Sequence, residues 1–389
     1  MKQLNSLFKL TSFTLNKKRV LLRADLNVPI ANGKIADDFR LRAILPTLNY
    51  LQEHHAIIIL ATHIGRPLGK NIPVLSTKQL VPWFEKKGYN IIFESNLEKI
   101  ITTNYPPSFI ILLENLRFFP GEQTQDSTFA QQLASCADYY INDAFGALHR
   151  NDTSVSLVAH YFTDNKKSIG FLVKKELTKL SKLKNDPKHP FLLILGGGKP
   201  ETKIELITGI KSIADGILLC PALVFTFLSS QGKEVGKSLI DPGQFEHVNQ
   251  LLGTTKNNFF YFPEDYQVAL DAVQEPLEIF SAEHFPANGI GIAIGPQTIE
   301  TWNKLIQQAK TVFFNAAMGF AQYPHTQEAL KTLLQCVAQS PAYSVIGGGD
   351  SVAAVQQFGF AYEINFLSTG GGATLTYLSG KALPGLNYM

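Results

Sequence analysis

The chain has 389 residues, 45% hydrophobic and 17% charged, with a net charge of +3; it is too long for one ordinary core, so two soluble domains are expected. The weak charge does not by itself imply a nucleic-acid partner, and none is expected; no run reaches the ~18 apolar residues of a membrane span, and MKQLNSLFKLTSF lacks a signal-peptide core. Cys136, Cys220 and Cys336 are widely spaced without ligand spacing, and the histidines form no HExxH-like cluster, which fits a reducing cytoplasm.

Apolar runs alternate with helical stretches along the whole chain, the pattern of parallel α/β units. In the first part strands are predicted at 19–23, 56–61, 90–93, 109–113 and 138–142, with helices near 38–53, 76–88 and 127–135. Residues 166–184, KKSIGFLVKKELTKLSKLK, read as one long amphipathic helix joining two domains. NDPKHP then breaks it. In the second part strands are predicted at 191–195, 216–219, 258–262, 289–294, 311–315 and 343–346.

Charge and glycine are unevenly distributed. All seven arginines (Arg19, Arg23, Arg40, Arg42, Arg66, Arg117 and Arg150) precede residue 151, and all three Gly-Gly-Gly runs, at 196–198, 347–349 and 370–372, follow it. Guanidinium forks suit carboxylate and phosphate, and glycine loops at helix starts cradle phosphates through backbone N–H groups. One half is therefore expected to hold a small anion by side chains, the other a polyphosphate by main chain.

Polar loops follow the predicted strands of the first half at RADLNVP (23–29), THIGRP (62–67), LENLRFFPGE (113–122) and NDAFGALHR (142–150), with Arg40 opening the first helix. Open parallel sheets bind ligands at these strand ends. Each loop alone has a structural alternative: an Asp-X-Asn turn, an Arg117–Glu114 pair, a core hydrogen bond for His149. Together they predict a basic pocket for a small molecule bearing carboxylate and phosphate.

In the second half PFLLILGGGKPETK (190–203) reads as buried strand, glycine turn and helix start. Pro200 suits the first helical turn, and Lys199 and Lys203, one turn apart, are both expected to face the loop. VIGGGDSVAAV (345–355) repeats the plan with Asp350 and Ser351 at the helix start. An N-cap is the structural role there, and a Mg²⁺ ligand beside phosphates the chemical one. FLSTGGGATLTYL (366–378) offers Ser368, Thr369 and N–H groups without a carboxylate.

RADLNVP, THIGRP, LENLRFFPGE, DAFGALHR, GGGKPETK, QGKEVGKSL, GGGDS and STGGGA together closely resemble phosphoglycerate kinase, in that family's order and over nearly the whole chain. The resemblance implies two Rossmann-like three-layer αβα domains with mainly parallel sheets, joined by a long helix and separated by a cleft. Residues 1–165 would bind phosphoglycerate, 166–185 form the joining helix, 186–376 bind nucleotide, and 377–389 pack back on the first domain. It implies reversible, Mg²⁺-dependent phosphoryl transfer between 1,3-bisphosphoglycerate and ADP, giving 3-phosphoglycerate and ATP, by hinge closure of a cytoplasmic monomer. Carried over by motif, Asp25, Asn27, Arg40, His63, Arg66, Arg117 and Arg150 would hold 3-phosphoglycerate. Lys199, Lys203, Asn315, Gln322, Gly347, Gly348, Gly349, Asp350 and Ser351 would face the nucleotide, with Asp350 on the metal. Arg40, Lys199, Gly349 and Gly372 would act on the transferring phosphoryl, and Gly370 and Gly371 would lend N–H groups.

The chain departs from that pattern at several places. Cys220-Pro221-Ala222 replaces a glycine-rich turn against which adenine lies, Gln322 a ribose glutamate, and Ala293 an aspartate. The Asn-Gly-Pro-x-Gly loop reads Asn315-Ala316-Ala317-Met318-Gly319, the lysines are spaced by Pro-Glu-Thr, and the tail is short. Two readings follow: a working kinase with weaker or altered nucleotide preference, or a relative that binds phosphoglycerate or another anion without efficient turnover. A nicotinamide-dependent dehydrogenase is disfavoured, because no GxGxxG follows the first strand.

Overall fold

The structure, a computed structural model, describes residues 2–31, 33–270, 272–273 and 276–389. Two compact units are present: Met1–Lys179 with Ala382–Met389, and Leu180–Lys381. Among the described residues no helix is long and apolar enough to cross a membrane.

The first unit is built on six parallel strands: β1 (Arg19–Ala24), β2 (Ile57–Ala61), β3 (Ile91–Glu94), β4 (Ile110–Leu113), β5 (Tyr139–Asp143) and β6 (Lys167–Ile169). Their order is β3-β4-β2-β1-β5-β6. The central strands are buried on both faces, which is why they read as unbroken apolar runs. Alternate residues still part to opposite sides: Val20, Leu22, Ile58, Leu60, Ile110 and Leu112 join one core, and Leu21, Ile57, Ile59, Ile111 and Leu113 the other. Strand order reverses between β1 and β5, so the loops after them flank the switch point where such sheets bind ligands.

The second unit has a parallel sheet of β7 (Phe191–Leu195), β8 (Gly216–Leu219) and β9 (Phe260–Tyr261), completed later in the chain. Between come β10 (Asp265–Ala269), β11 (Glu278–Ser281) and β12 (Ile290–Ile294), an antiparallel sheet in the order β11-β10-β12. Then β13 (Thr311–Asn315), β14 (Tyr343–Ile346) and β15 (Phe366–Leu367) return to the parallel sheet, whose order is β9-β8-β7-β13-β14-β15. Here the reversal lies between β7 and β13. Both sheets are thus parallel α/β layers, as the alternation of runs predicted.

Three expectations are corrected. The stretch 166–184 is not one helix: Lys167–Ile169 is a strand and the helix is Phe171–Asn185. The switch lies at Gly170, where a Cβ would stand 2.2 Å from Asp143 Cγ. Asp143 Oδ1 accepts from Val173 N at 3.0 Å and anchors the helix start. The predicted helix over 38–53 is two, Phe39–Ala43 and Leu45–Glu53, because Pro46 has no N–H to continue the ladder. The run at 289–294 pairs antiparallel with β10, outside the parallel sheet. Strands β10 and β11 were not predicted: β11 is mostly exposed and carries no apolar run.

The last residues close on the first unit. Gly385 N donates to Leu148 O at 2.9 Å, and Asn142 Nδ2 donates to Gly385 O at 3.3 Å. A Cβ at Gly385 would meet Leu148 and Val155 at 2.6 and 2.8 Å, so the strap lies flat only as glycine.

Asp143 is fully buried, and burial raises its carboxyl from 3.8 to about 7, against hydrogen bonds from Thr47, Val173 and Leu172. Between those values the folded state holds more protons than the unfolded one, so this group costs stability as pH rises from about 4 to 7. Asp143→Asn removes that slope. Urea midpoints of variant minus parent should therefore increase from pH 4.5 to 7.5, and a difference that stays flat refutes it.

Candidate functional site

Two clusters of polar residues form, one in each unit at the carboxyl ends of its parallel strands. In the first, Arg40 Nη1 donates to Asp25 Oδ2 at 2.8 Å, just after β1. Asn27 Oδ1 accepts from Gly65 N at 2.9 Å and ties the loop after β1 to the loop after β2. Arg66 is exposed beside it.

Arg23 lies within β1 with no exposure, and a buried guanidinium must be paired. Its Nε donates to Ser154 Oγ at 2.7 Å, and Nη2 lies 3.9 Å from Glu122 Oε1. Ser154 in turn donates N–H and O–H to the Glu122 carboxyl. Burial raises Glu122 to about 7, although Arg23 and Ser154 act in the other direction. Arg23 Nη2 also reaches His63 Nδ1 at 3.2 Å. A guanidinium can only donate, so Nδ1 is the acceptor and Nε2 carries the proton. Burial, then Arg23, Arg117, Arg150 and Arg40, hold His63 well below the usual imidazole range. His63 is therefore a neutral donor among cations.

Arg117, after β4, is fully buried. Its Nη1 donates to Gly65 O at 2.8 Å and its Nη2 to Asp152 Oδ2 at 3.1 Å, while Nε has no partner. It does not pair with Glu114, whose carboxylate accepts from Ser76, Thr77 and Asn115. His149 is half-buried; burial and then the Arg150 cation lower its pKa, against Asp25, a backbone hydrogen bond at Gly146 and Asp152. Arg150 is half-buried; burial and the cations Arg117 and Arg66 lower its pKa, against Asp152 and Asp25. Arg23, Glu122, Asp152 and Ser154 were not assigned from the sequence. The one available signal was Arg23, a charge inside an otherwise apolar strand, which demands a buried partner.

In the second unit three glycine loops begin at one level of the sheet, since Leu195 pairs with Asn315, Phe314 with Ile346, and Ile346 with Leu367. The helices Pro200–Ile210, Gly349–Gln357 and Gly371–Leu378 start from these loops, and none has a side-chain cap. Their first N–H groups are left for another acceptor. A Cβ at Gly371 would lie 3.5 Å from Gly348 Cα and 3.8 Å from Gly349 N, so two of the loops touch. Gly348 has φ +104, and a Cβ there would meet Asn315 Nδ2 at 2.4 Å. Asn315 donates to Gly347 O at 2.6 Å and so shapes the loop. Ser351 donates to Ala316 O at 2.8 Å. Gly370 is buried as the N-cap of the last helix, and Gly372 is exposed in its first turn.

Lys199 is the residue before the first of these helices and is exposed. Lys203 Nζ reaches within 4.0 Å of the Cβ position of Gly197, which has φ +94. Burial, then the Lys199 ammonium, lower the Lys203 pKa, and Asp350 opposes them. Two lysines and one carboxylate thus share the mouth of the loops. Asp350 is exposed in the first turn of its helix and does not cap it. Gln322 is exposed on the turn closed by the Phe320–Tyr323 bridge.

Cys220-Pro221-Ala222 follows β8 in the same unit. Ala222 has φ +67 and ψ −55, a γ-turn geometry that strains any residue with a Cβ. Ala222→Gly should stabilise the protein by about 1 kcal/mol, a rise of ~2–4 °C in Tm. An unchanged or lower Tm by calorimetry would refute the strain. Cys220 also fills space: a Cβ on Gly196 would stand 2.6 Å from Cys220 Cβ.

The family model described as phosphoglycerate kinase matches residues 10–381. The chain belongs to the phosphoglycerate kinase family. It is 37% identical over 381 residues to the phosphoglycerate kinase of Dictyoglomus turgidum, covering 96% of this chain and 95% of that one. To the phosphoglycerate kinase of Moorella thermoacetica it is 37% identical over 385 residues, covering 97% of each. Among solved structures, the phosphoglycerate kinase of Coxiella burnetii superposes with a TM-score of 0.83 at 31% identity over 97% of both chains. That of Pyrococcus horikoshii gives 0.85 at 26% identity over 98% of both. By family the protein is a kinase.

Proposed function

We propose that the protein transfers a phosphoryl group reversibly between 1,3-bisphosphoglycerate and ADP, giving 3-phosphoglycerate and ATP. The observation that carries the reading is the set of glycine loops at one sheet edge, with Lys203 among them. Uncapped helix N-termini with one exposed and one half-buried ammonium group suit a chain of phosphates. The arginine cluster with neutral His63 suits a small anion with carboxylate and phosphate ends. Asp25, Asn27, Arg40, His63, Arg66, Arg117 and Arg150 hold 3-phosphoglycerate in this reading, and Asp25 and the Asn27 carbonyl accept from Arg40, which reaches them from the helix Phe39–Ala43. Lys203, Asn315, Gln322, Gly347, Gly348, Gly349, Asp350 and Ser351 form the nucleotide side.

Phosphoryl transfer needs positioning and positive charge around the moving group more than covalent help. Arg40, Lys199 and the N–H groups of Gly349 and Gly372 supply it. Among the described residues no group of three or more His, Cys, Asp or Glu side chains could hold a metal. A single exposed carboxylate, Asp350, fits Mg²⁺, which binds by one or two carboxylates together with substrate phosphates. When bound there, the ion neutralises phosphate charge. The reading requires the two clusters to meet around the reactants during turnover, and it describes a cytoplasmic monomer.

A coupled assay of ADP production from Mg-ATP and 3-phosphoglycerate, with GTP in parallel, tests it. Turnover that Arg40→Ala abolishes supports the kinase. No turnover with either nucleotide, in folded protein that still binds 3-phosphoglycerate, refutes it. That result would leave the second reading, to which the filled and strained turn at Cys220–Ala222 lends support.

A further inference from the structure

Ser154 and Glu122 are buried within the first cluster, yet neither hydrogen-bonds a residue assigned above to the ligand. They stand on loops after different strands, Glu122 after β4 and Ser154 after β5, and both turn to Arg23 inside β1. The Glu122 carboxyl takes both the N–H and the O–H of Ser154, at 3.0 and 2.6 Å, and so fixes where the Ser154 oxygen points.

That oxygen accepts from Arg23 Nε at 2.7 Å, and Ala24 O accepts from Arg23 Nη1. A guanidinium is planar and rigid, so two engaged nitrogens set the direction of the third. Nη2 then meets Nδ1 of His63, just after β2, at 3.2 Å. Because a guanidinium can only donate, these directions hold whatever the charge of Glu122. A proton on Nδ1 would face the Nη2 hydrogens, which disfavours both the other neutral tautomer and the imidazolium. Besides burial, the groups acting on His63 are Arg23 of β1, Arg117 after β4, Arg150 after β5 and Arg40 of the helix Phe39–Ala43. All four oppose the imidazolium, but Arg23 alone touches a particular ring nitrogen. At the far side of the ring Nε2 has no acceptor among the described residues, so its proton is left for a ligand.

We infer that Ser154 is a positioning residue: set by Glu122, it holds Arg23 so that Nη2 keeps His63 Nδ1 bare, which leaves Nε2–H as the donor to an anionic oxygen of the ligand. The inference rests on the reading of this cluster as the phosphoglycerate site.

The test is nitrogen-15 NMR of the full chain labelled on histidine, with the His63 signals identified by their loss in His63→Gln. In the parent, Nδ1 should keep the signal of a bare nitrogen from about pH 8 to 6. Ser154→Ala removes the acceptor of Arg23 Nε, and Nδ1 should then move toward the protonated position. Its Kd for 3-phosphoglycerate should rise about tenfold, the loss of one well-placed hydrogen bond to a charged group. Ser154→Thr, which keeps the oxygen, should restore both. A merely structural role would lower Tm and leave the Nδ1 signal where it is, and that result overturns the inference, as does a parent whose Nδ1 is protonated in this range. Should Ser154→Ala not fold, Ser154→Cys, near in size but a poor acceptor, must show the same movement, and its absence overturns the role. A parent that binds no 3-phosphoglycerate refutes the substrate reading itself, whereas binding with Nδ1 unmoved in the variants refutes only the part given to Ser154.

Discussion

Lys199→Ala should lower kcat by about 10²–10³, the loss typical of one group that stabilises charge only in the transition state. Tm should stay within a degree or so, because the side chain is exposed and substitutions of that kind usually change stability by less than ~0.5 kcal/mol. The two lysines of the motif separate here. Lys203 is half-buried against the glycine loop, and its ammonium is disfavoured by burial and by Lys199. Removing Lys199 relieves Lys203 of a like charge and leaves the ground-state grip on phosphates with Lys203 and the loop N–H groups. KM for ATP should therefore change by less than ~3-fold while kcat collapses, the pattern of an interaction made mainly in the transition state. Lys203→Ala should instead raise KM. A Lys199→Ala enzyme with kcat within ~3-fold of the parent would remove this lysine from the chemistry.

Gly348→Ala should cost both fold and activity. The residue sits at φ +104, where a Cβ is strained, and that Cβ would stand 2.4 Å from Asn315 Nδ2. Asn315 is the donor to Gly347 O, so the collision falls on the bond that shapes the loop. Strain of this kind costs roughly 1–3 kcal/mol, or ~2–10 °C in Tm for domains of this size. Nucleotide binding should weaken more than 3-phosphoglycerate binding, because the damage lies in the second unit. Calorimetric titration with ADP and with 3-phosphoglycerate, beside a thermal melt, separates the two. Equal affinities for parent and variant would show that the loop does not cradle phosphates.

The parallel sheets were legible because their central strands are buried on both faces and carry long apolar runs, as in Ile57–Ala61 and Phe191–Leu195. Exposed or short strands were not. Glu278–Ser281 has no such run, and Lys167–Ile169 reads as the start of a helix because Lys167 buries its stem while its Nζ reaches Ala159 O and Asp164. The glycine loops were visible as motifs, and the helices they start came out where Pro200, Gly349 and Gly371 stand. Hydrogen-bond partners were not legible. Arg117 pairs with Asp152, thirty-five residues on, and not with neighbouring Glu114, because the loop after β5 returns to that side of the sheet. Arg23, Ser154 and Glu122 meet for the same reason, and sequence distance carries no trace of it.

The strap at Gly385 makes the first unit discontinuous along the chain. During vectorial synthesis its first 179 residues leave the ribosome long before residues 382–389, with the whole of the second unit made in between. Leu148 O and Asn142 Nδ2 wait for Gly385 through that interval. The nascent first unit therefore carries an unfilled seam over Leu148 and Val155, and translational pausing before residues 382–389 would lengthen its exposure to chaperones and proteases.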